Sequence, residues 1–247
     1  MWLYVVVRSG VWKAIAETKY IRALFIEIRE ENKSIFLLFH YFHHMIAIVD
    51  YGMGNLFSVQ RKLEKLGFTA VITNDLGVLQ QAKKIILPGV GHFGQAMSEL
   101  SKRDLISPLS DLALEHKTPF LGICLGMQLM TSGSEEGSCE GLNWFSCNTQ
   151  RLRVKDTTQF KIPHIGWNTI DFQRENAILE NIPSGSEMYF VHAYGVLQAN
   201  ENEVLTSTTY ETPFISGLQR ETIWGMQFHP EKSHDLGLNI LYNFASI

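Results

Sequence analysis

Gly122-Ile123-Cys124-Leu125-Gly126 is the segment that most restricts what this chain can become. An apolar run, Phe120-Leu121-Gly122-Ile123, stops at a cysteine flanked two residues away on each side by glycine, and a helical pattern starts directly behind it. This is the strand, sharp turn, helix order of a nucleophile elbow, with cysteine where serine stands in G-x-S-x-G. The turn forces the nucleophile into a strained backbone, and the two glycines remove side chains that would collide there. The helix behind it aims free N–H groups and a positive dipole end at the sulfur, which favours the attacking thiolate form. The N–H of Leu125 is placed to hold a developing oxyanion. The same residues would also suit a buried core cysteine between two packing glycines, so the rest of the chain has to decide.

The elbow strand is one of several in an alternating pattern. Ile46 to Val49 reads as a strand, followed by the loop Asp50-Tyr51-Gly52-Met53-Gly54-Asn55. Asn55 is a good N-cap, Leu56, Val59, Leu63 and Leu66 recur at helical spacing, and Gly67 stops the helix. Residues 68–72 and 84–87 read as further strands with a brief helix between them. Helices are expected over 93–100 and 105–116. The 84–87 run is wholly apolar after Lys84, as in a parallel sheet covered on both faces. It ends in Pro88-Gly89-Val90-Gly91, a glycine-rich turn at the carboxyl end of a strand, where open α/β sheets bind ligands. Val90 or Gly91 is the candidate for a second oxyanion donor. Neither glycine-rich loop carries the P-loop lysine or the full dinucleotide fingerprint.

From Gly133 the texture changes to short strands and turns. Strands are expected over 141–145, 151–154, 165–172, 188–192 and 204–208, then a last one over 222–228 running into His229-Pro230-Glu231. Alternate residues of an extended chain face the same way, and Pro230 disfavours helical dihedrals at His229. His229 and Glu231 can therefore face one site. Leu236, Ile240 and Phe244 mark a closing helix. An elbow cysteine needs a base to carry its proton to a leaving amine, and a carboxylate to orient that base. Cys124, His229 and Glu231 supply those three parts for acyl transfer from an amide through a thioester.

Motifs spread along the chain make the reading specific. GICLGMQL, QFHPEKS and the upstream PGVG resemble the class I glutamine amidotransferases. DYGMGNLFSV, SEEG, PHIGWN and YFVHAY are similar to those of one branch, the glutaminase subunits of imidazole glycerol phosphate synthase from histidine biosynthesis. The resemblance runs from Met45 to the C-terminus. It implies a flavodoxin-like α/β fold: a mostly parallel sheet flanked by helices, with an added β-rich portion. It also implies L-glutamine as substrate, with nucleophile Cys124, base His229 and carboxylate Glu231. Val90, Gly91 and Leu125 are expected at the oxyanion hole. Gly91, Gln128 and the backbone of His192, Ala193 and Tyr194 would hold the amino-acid end of glutamine. Ala193 departs from the serine or threonine more often found there, so only a backbone contact is expected at that position.

The same resemblance implies a (β/α)8 cyclase partner in a heterodimer, because ammonia released into water is protonated and lost as a nucleophile. The PHIGWN loop and the 51–55 loop are the expected docking face, with core packing as the alternative role of Trp167. Two other readings stand beside this one. A paralogue supplies ammonia for amination of surface-polysaccharide sugars, and a non-catalytic regulatory subunit could keep the fold.

The remaining features bound the answer. With 247 residues, 45% hydrophobic and a formal charge of -4, the chain offers no basic surface for nucleic acid. No apolar run reaches the ~18 residues of a membrane span. Cys124, Cys139 and Cys147 are odd in number and lack C-x-x-C spacing, which fits free thiols in a cytoplasmic protein and no metal centre. No cofactor is expected. Residues 1–44 read as an N-terminal extension outside the fold, with residues 45–247 as the glutamine amidotransferase domain. His40, His43 and His44 close an apolar run in that extension, and histidines in an unpatterned segment are more often incidental than ligands.

Overall fold

A computed structural model describes residues 45–247. The expectations about residues 1–44, including the three histidines, lie outside the described residues. The first half alternates strands and helices. They are β1 (Ile46–Val49), α1 (Leu56–Lys65), β2 (Ala70–Thr73), α2 (Leu76–Gln81), β3 (Lys84–Gly89), α3 (Phe93–Lys102), α4 (Ile106–Ser110), β4 (Phe120–Cys124) and α5 (Leu125–Leu129). One π-helical turn, Asp111–Glu115, continues α4. The second half is mainly strands. They are β5 (Thr131–Ser134), β6 (Cys139–Glu140), β7 (Phe145–Arg151), β8 (His164–Phe172), β9 (Ser186–His192), β10 (Tyr194–Val196), β11 (Val204–Tyr210), β12 (Thr212–Arg220) and β13 (Ile223–Met226), closed by α6 (His234–Ser246).

The central strands run β2-β1-β3-β4-β13 and are all parallel. Beyond β13 the sheet turns antiparallel through β12, β10 and β7, while β11, β8 and β9 branch from β12. The doubly wound core is thus the flavodoxin-like arrangement expected, and its carboxyl edge is where a site belongs. Both faces are covered. In β1, Ala47 and Val49 join the core packed under α2, α3 and α4, while Ile46 and Ile48 join the one under α1 and α6. That alternation is the period-2 logic of a strand buried on both sides.

Several local expectations shift. Asn55 stands at the N-cap of α1 but makes no side-chain cap, whereas Asp75 caps α2 by accepting from Val78 N–H at 2.9 Å. Residues 152–154 form no strand; β7 starts at Phe145 and ends at Arg151, and Leu152 N–H bonds instead to the Ala193 carbonyl. The last strand ends at Met226 rather than 228. The long β12, a hub of the β-rich half, is not among the strands expected from the sequence.

Candidate active site

Three adjacent parallel strands deliver the site. Register pairs Gly89 of β3 with Cys124 of β4, and Ile123 of β4 with Met226 of β13. The glycine-rich turn, the cysteine, and the residues just after Met226 therefore emerge side by side at one sheet edge. Residues far apart in sequence become neighbours because strand pairing repeats at ~4.8 Å.

Cys124 has φ 54° and ψ −108°, a conformation most side chains avoid. The surroundings explain the two glycines. A Cβ on Gly126 would sit 1.7 Å from the Leu87 carbonyl oxygen, and one on Gly122 would sit 2.8 Å from Met127 N. The first collision is with the neighbouring strand β3 rather than within the elbow. The glycines therefore fix how closely the elbow packs on the sheet as well as its turn. As the first residue of α5, Leu125 has no intrahelical acceptor for its N–H. Across from it, the N–H groups of Val90 and Gly91 pair with no backbone carbonyl among the described residues, and Gly91 has φ 117°. Tyr51, fully buried, donates its hydroxyl to the Pro88 carbonyl at 2.9 Å and so pins the base of this turn.

His229 and Glu231 meet as expected, by a different route. After β13 the backbone is extended at His229, then Pro230–Lys232 makes one 3-10 turn that swings Glu231 back. His229 Nδ1–H donates to Glu231 Oε1 at 2.8 Å, with both side chains buried. Burial pushes the imidazole pKa down, but the Cys124 sulfur in its thiolate form and the Glu231 carboxylate outweigh that and hold it at about 9. Nε2, buried and without a partner of its own, is the nitrogen left for the thiol. Ser233 holds the turn in place: its hydroxyl donates to the His229 carbonyl at 2.7 Å and accepts from Tyr189 N–H at 2.9 Å.

Gln128, on the elbow helix, donates Nε2–H to the Tyr194 carbonyl at 2.8 Å and to Gln227 Oε1 at 3.0 Å. Around His192–Tyr194 the carbonyls are already engaged, that of Ala193 by Leu152 N–H and that of Tyr194 by Gln128 and by His192 Nδ1 at 2.8 Å. The Ala193 N–H pairs with no backbone carbonyl among the described residues. What this strand end offers a ligand is a donor.

The His192 side chain faces inward, its Nε2 3.1 Å from Nδ1 of His164, its ladder partner on β8; the PHIGWN segment, expected as a loop, is strand from His164 onward. Because a carbonyl can only accept, His192 Nδ1 carries the proton; its Nε2 then accepts from His164 Nδ1–H, and His164 Nε2 faces Asn168 Nδ2 at 3.4 Å. Burial lowers both pKa values, to about 3 for His192 and about 4 for His164. Sequence reasoning gives His164, Gln227, Ser233 and Tyr51 no part in the site, although they lie inside the PHIGWN, QFHPEKS and DYGMGNLFSV motifs; a motif marks the segment, and only the fold shows which of its polar side chains turn inward.

Two large apolar side chains of β8 are exposed. Ile165 and Trp167 are 59% and 42% exposed, and the Trp167 ring stacks on His234 at 4.6 Å, so Trp167 is not a core residue. Among the described residues no helix is long and apolar enough to cross a membrane.

Comparison with known proteins agrees with this geometry. The glutamine amidotransferase class-I family profile matches residues 47–246. Imidazole glycerol phosphate synthase subunit HisH 2 of Methanococcus maripaludis is 44% identical over 200 residues, covering 81% of this chain and 98% of that protein. Subunit HisH of Moorella thermoacetica is 43% identical over 203 residues, covering 82% and 94%. Among solved structures, a glutamine amidotransferase aligns with TM-score 0.64 at 16% identity, covering 81% of this chain and 99% of that one. A chain of PurLQS from Thermotoga maritima aligns with TM-score 0.63 at 16% identity, covering 82% and 97%. At those identities the structural likeness establishes the fold alone.

Proposed function

The chain belongs to the class I glutamine amidotransferase family, and on that premise we propose that it is the glutaminase subunit of an imidazole glycerol phosphate synthase, working in histidine biosynthesis. The observation that carries the chemistry is the strained elbow cysteine at the end of β4 beside the end of β13, which delivers a buried His229 held by Glu231 and raised in proton affinity by Cys124. The names of relatives covering nearly their whole lengths support the pathway over the polysaccharide paralogue.

In this reading His229 takes the Cys124 proton at Nε2, and the sulfur attacks the glutamine side-chain carbonyl. The N–H of Leu125 and a donor from the Val90–Gly91 turn hold the oxyanion. His229 passes its proton to the departing nitrogen, releasing ammonia and leaving a thioester. It then draws a proton from water, which attacks the thioester and frees glutamate and the sulfur. Gln128, Gly91 and the backbone from His192 through Tyr194 hold the amino-acid end of glutamine. No step calls on a cofactor or metal.

As a synthase subunit the protein has a partner subunit. We propose a (β/α)8 cyclase that receives the ammonia through a tunnel, in the cytoplasm. The exposed Ile165 and Trp167, with the 51–55 loop, would form the docking face. The test is imidazole glycerol phosphate synthesis by the complex of this chain and its cyclase. Cys124→Ala should remove glutamine-dependent synthesis, at least about 10⁴-fold, and leave ammonia-dependent synthesis intact. Retained glutamine-dependent turnover would overturn the nucleophile assignment.

A further inference from the structure

Gln227 lies one residue beyond the register pair Ile123–Met226, which sets it beside Cys124 at the sheet edge. It is fully buried. Its two amide ends face different partners, Oε1 toward Gln128 Nε2 at 3.0 Å and Nε2 toward Cys124 Sγ at 3.7 Å. The ends of an amide can be interchanged without changing its shape, so the orientation must come from the network. Here the network decides it. The Tyr194 carbonyl can only accept, so the Gln128 atom facing it is the NH2 group; that group also faces Gln227, which must answer with its oxygen. The Gln227 NH2 group is therefore the end turned to sulfur. Other polar groups felt by Sγ are the Val191 carbonyl, at 3.9 Å, His229, and the Tyr51 hydroxyl, whose proton is given to the Pro88 carbonyl. A carbonyl does nothing for a sulfur anion; an N–H donor stabilises it.

Accepting Cys124 as the nucleophile, we propose that Gln227 is a further catalytic residue, a fixed N–H donor to the Cys124 sulfur that stabilises its anionic form. Two moments use it. When the thiol proton passes to His229, the sulfur anion accepts from Gln227 until the carbon–sulfur bond forms. When water attacks the thioester and that bond breaks, the electron pair returns to sulfur, and Gln227 is already in place to receive it. The proton balance is unchanged, since His229 still carries each proton and Gln227 only donates a hydrogen bond. Gln128 has a second duty here, locking the amide so that its oxygen cannot turn toward sulfur.

The experiment is iodoacetamide alkylation of the full-length chain from pH 5 to 10, following the Cys124 peptide by mass spectrometry, with Cys139 as internal control. Gln227→Met removes the donor while conserving bulk. Gln227→Glu keeps an acceptor for Gln128 but turns an oxygen to the sulfur. The Cys124 alkylation profile should move about one pH unit upward in Gln227→Met, the scale of one charge-assisted hydrogen bond, and further in Gln227→Glu. Cys139 should not respond. Glutaminase kcat should fall about tenfold with KM within about twofold. A merely structural role would lower the melting temperature and leave the alkylation profile in place. Unshifted profiles in folded variants overturn the proposal, and if Gln227→Met does not fold, Gln227→Glu decides alone. Cys124→Ala separates the two readings. If it keeps glutamine turnover, the nucleophile reading falls; if it is inactive while the Gln227 profiles stay put, only the present inference falls.

Discussion

The site holds two buried histidine arrangements that resolve the same problem in opposite directions. His229 keeps its proton to about pH 9, while His192 and His164 give theirs up near 3 and 4. Burial works against the cation in all three. The difference lies in the partners. His229 has the charge of the Glu231 carboxylate and of the Cys124 thiolate, whereas His192 faces a carbonyl and another neutral imidazole, and His164 stacks on Tyr210 at 4.0 Å. On the α/β side the partners hold a proton on the imidazole, as the proposed base requires. On the β-rich side they make an uncharged hydrogen-bond chain that ends on the Tyr194 carbonyl and, through Gln128 and Gln227, on Cys124. Burial sets the cost of charge, and the adjacent group decides whether it is offset.

The largest way to break this contrast is to neutralise one partner. Glu231→Gln keeps the shape of the His229 contact and removes its charge. Glutaminase kcat should fall about 10²–10⁴-fold with KM little changed, measured in the complex with the cyclase. Near-native turnover would show that the carboxylate does not orient the base. The same variant should alter stability at high pH. His229 binds its proton more tightly folded than unfolded, so its contribution is fully present below about pH 6.5 and lost as pH rises through about 9. With the carboxylate neutralised, urea midpoints between pH 7 and 9 should depend less on pH.

A smaller effect is expected on the neutral side. His164→Phe leaves the His192 Nε2 acceptor buried without its donor, a loss of about 1–3 kcal/mol at pH 7. The acid limb carries the sign test. The unfolded chain protonates both histidines below about pH 6.5, and the folded chain does not until about 4 and 3. Stability should therefore fall as pH drops through that window, and less steeply in His164→Phe because one titrating group is gone. An unchanged slope would mean that His164 is not neutral in the folded protein. The smallest effect concerns residues 1–44. β1 is paired on both edges, by β2 and β3, within the described residues. Removing residues 1–44 should therefore leave the melting temperature within about 2 °C and turnover unchanged. A large drop in either would make that segment part of the domain.

Much of the α/β half was legible because its signals are local. Glycine spacing around Cys124, helical periodicity from Leu56, and Gly67 with φ 88° at the end of α1 each depend on a few adjacent residues. The β-rich half was less legible. β12 pairs with β10, β11 and β13, and Arg151–Val154 looks like a strand but mostly is not. Strand preference depends on which neighbour is available, and that is not a property of the segment.

The amino-acid sequence by itself determined the elbow and the order of α/β before β-rich structure, and it supplied Cys124, His229 and Glu231 as the candidates for nucleophile, base and carboxylate. Each is written in residue types at short spacing. Tertiary structure alone decided that β13 lies beside β4, which brings His229 and Gln227 to Cys124. It decided that Glu231 reaches His229 through a 3-10 turn stapled by Ser233, and that His164 and His192 are neutral while His229 is not. A buried glutamine, serine or histidine has no periodic signature. Its role is set by the one or two polar atoms that long-range strand pairing places within hydrogen-bond reach.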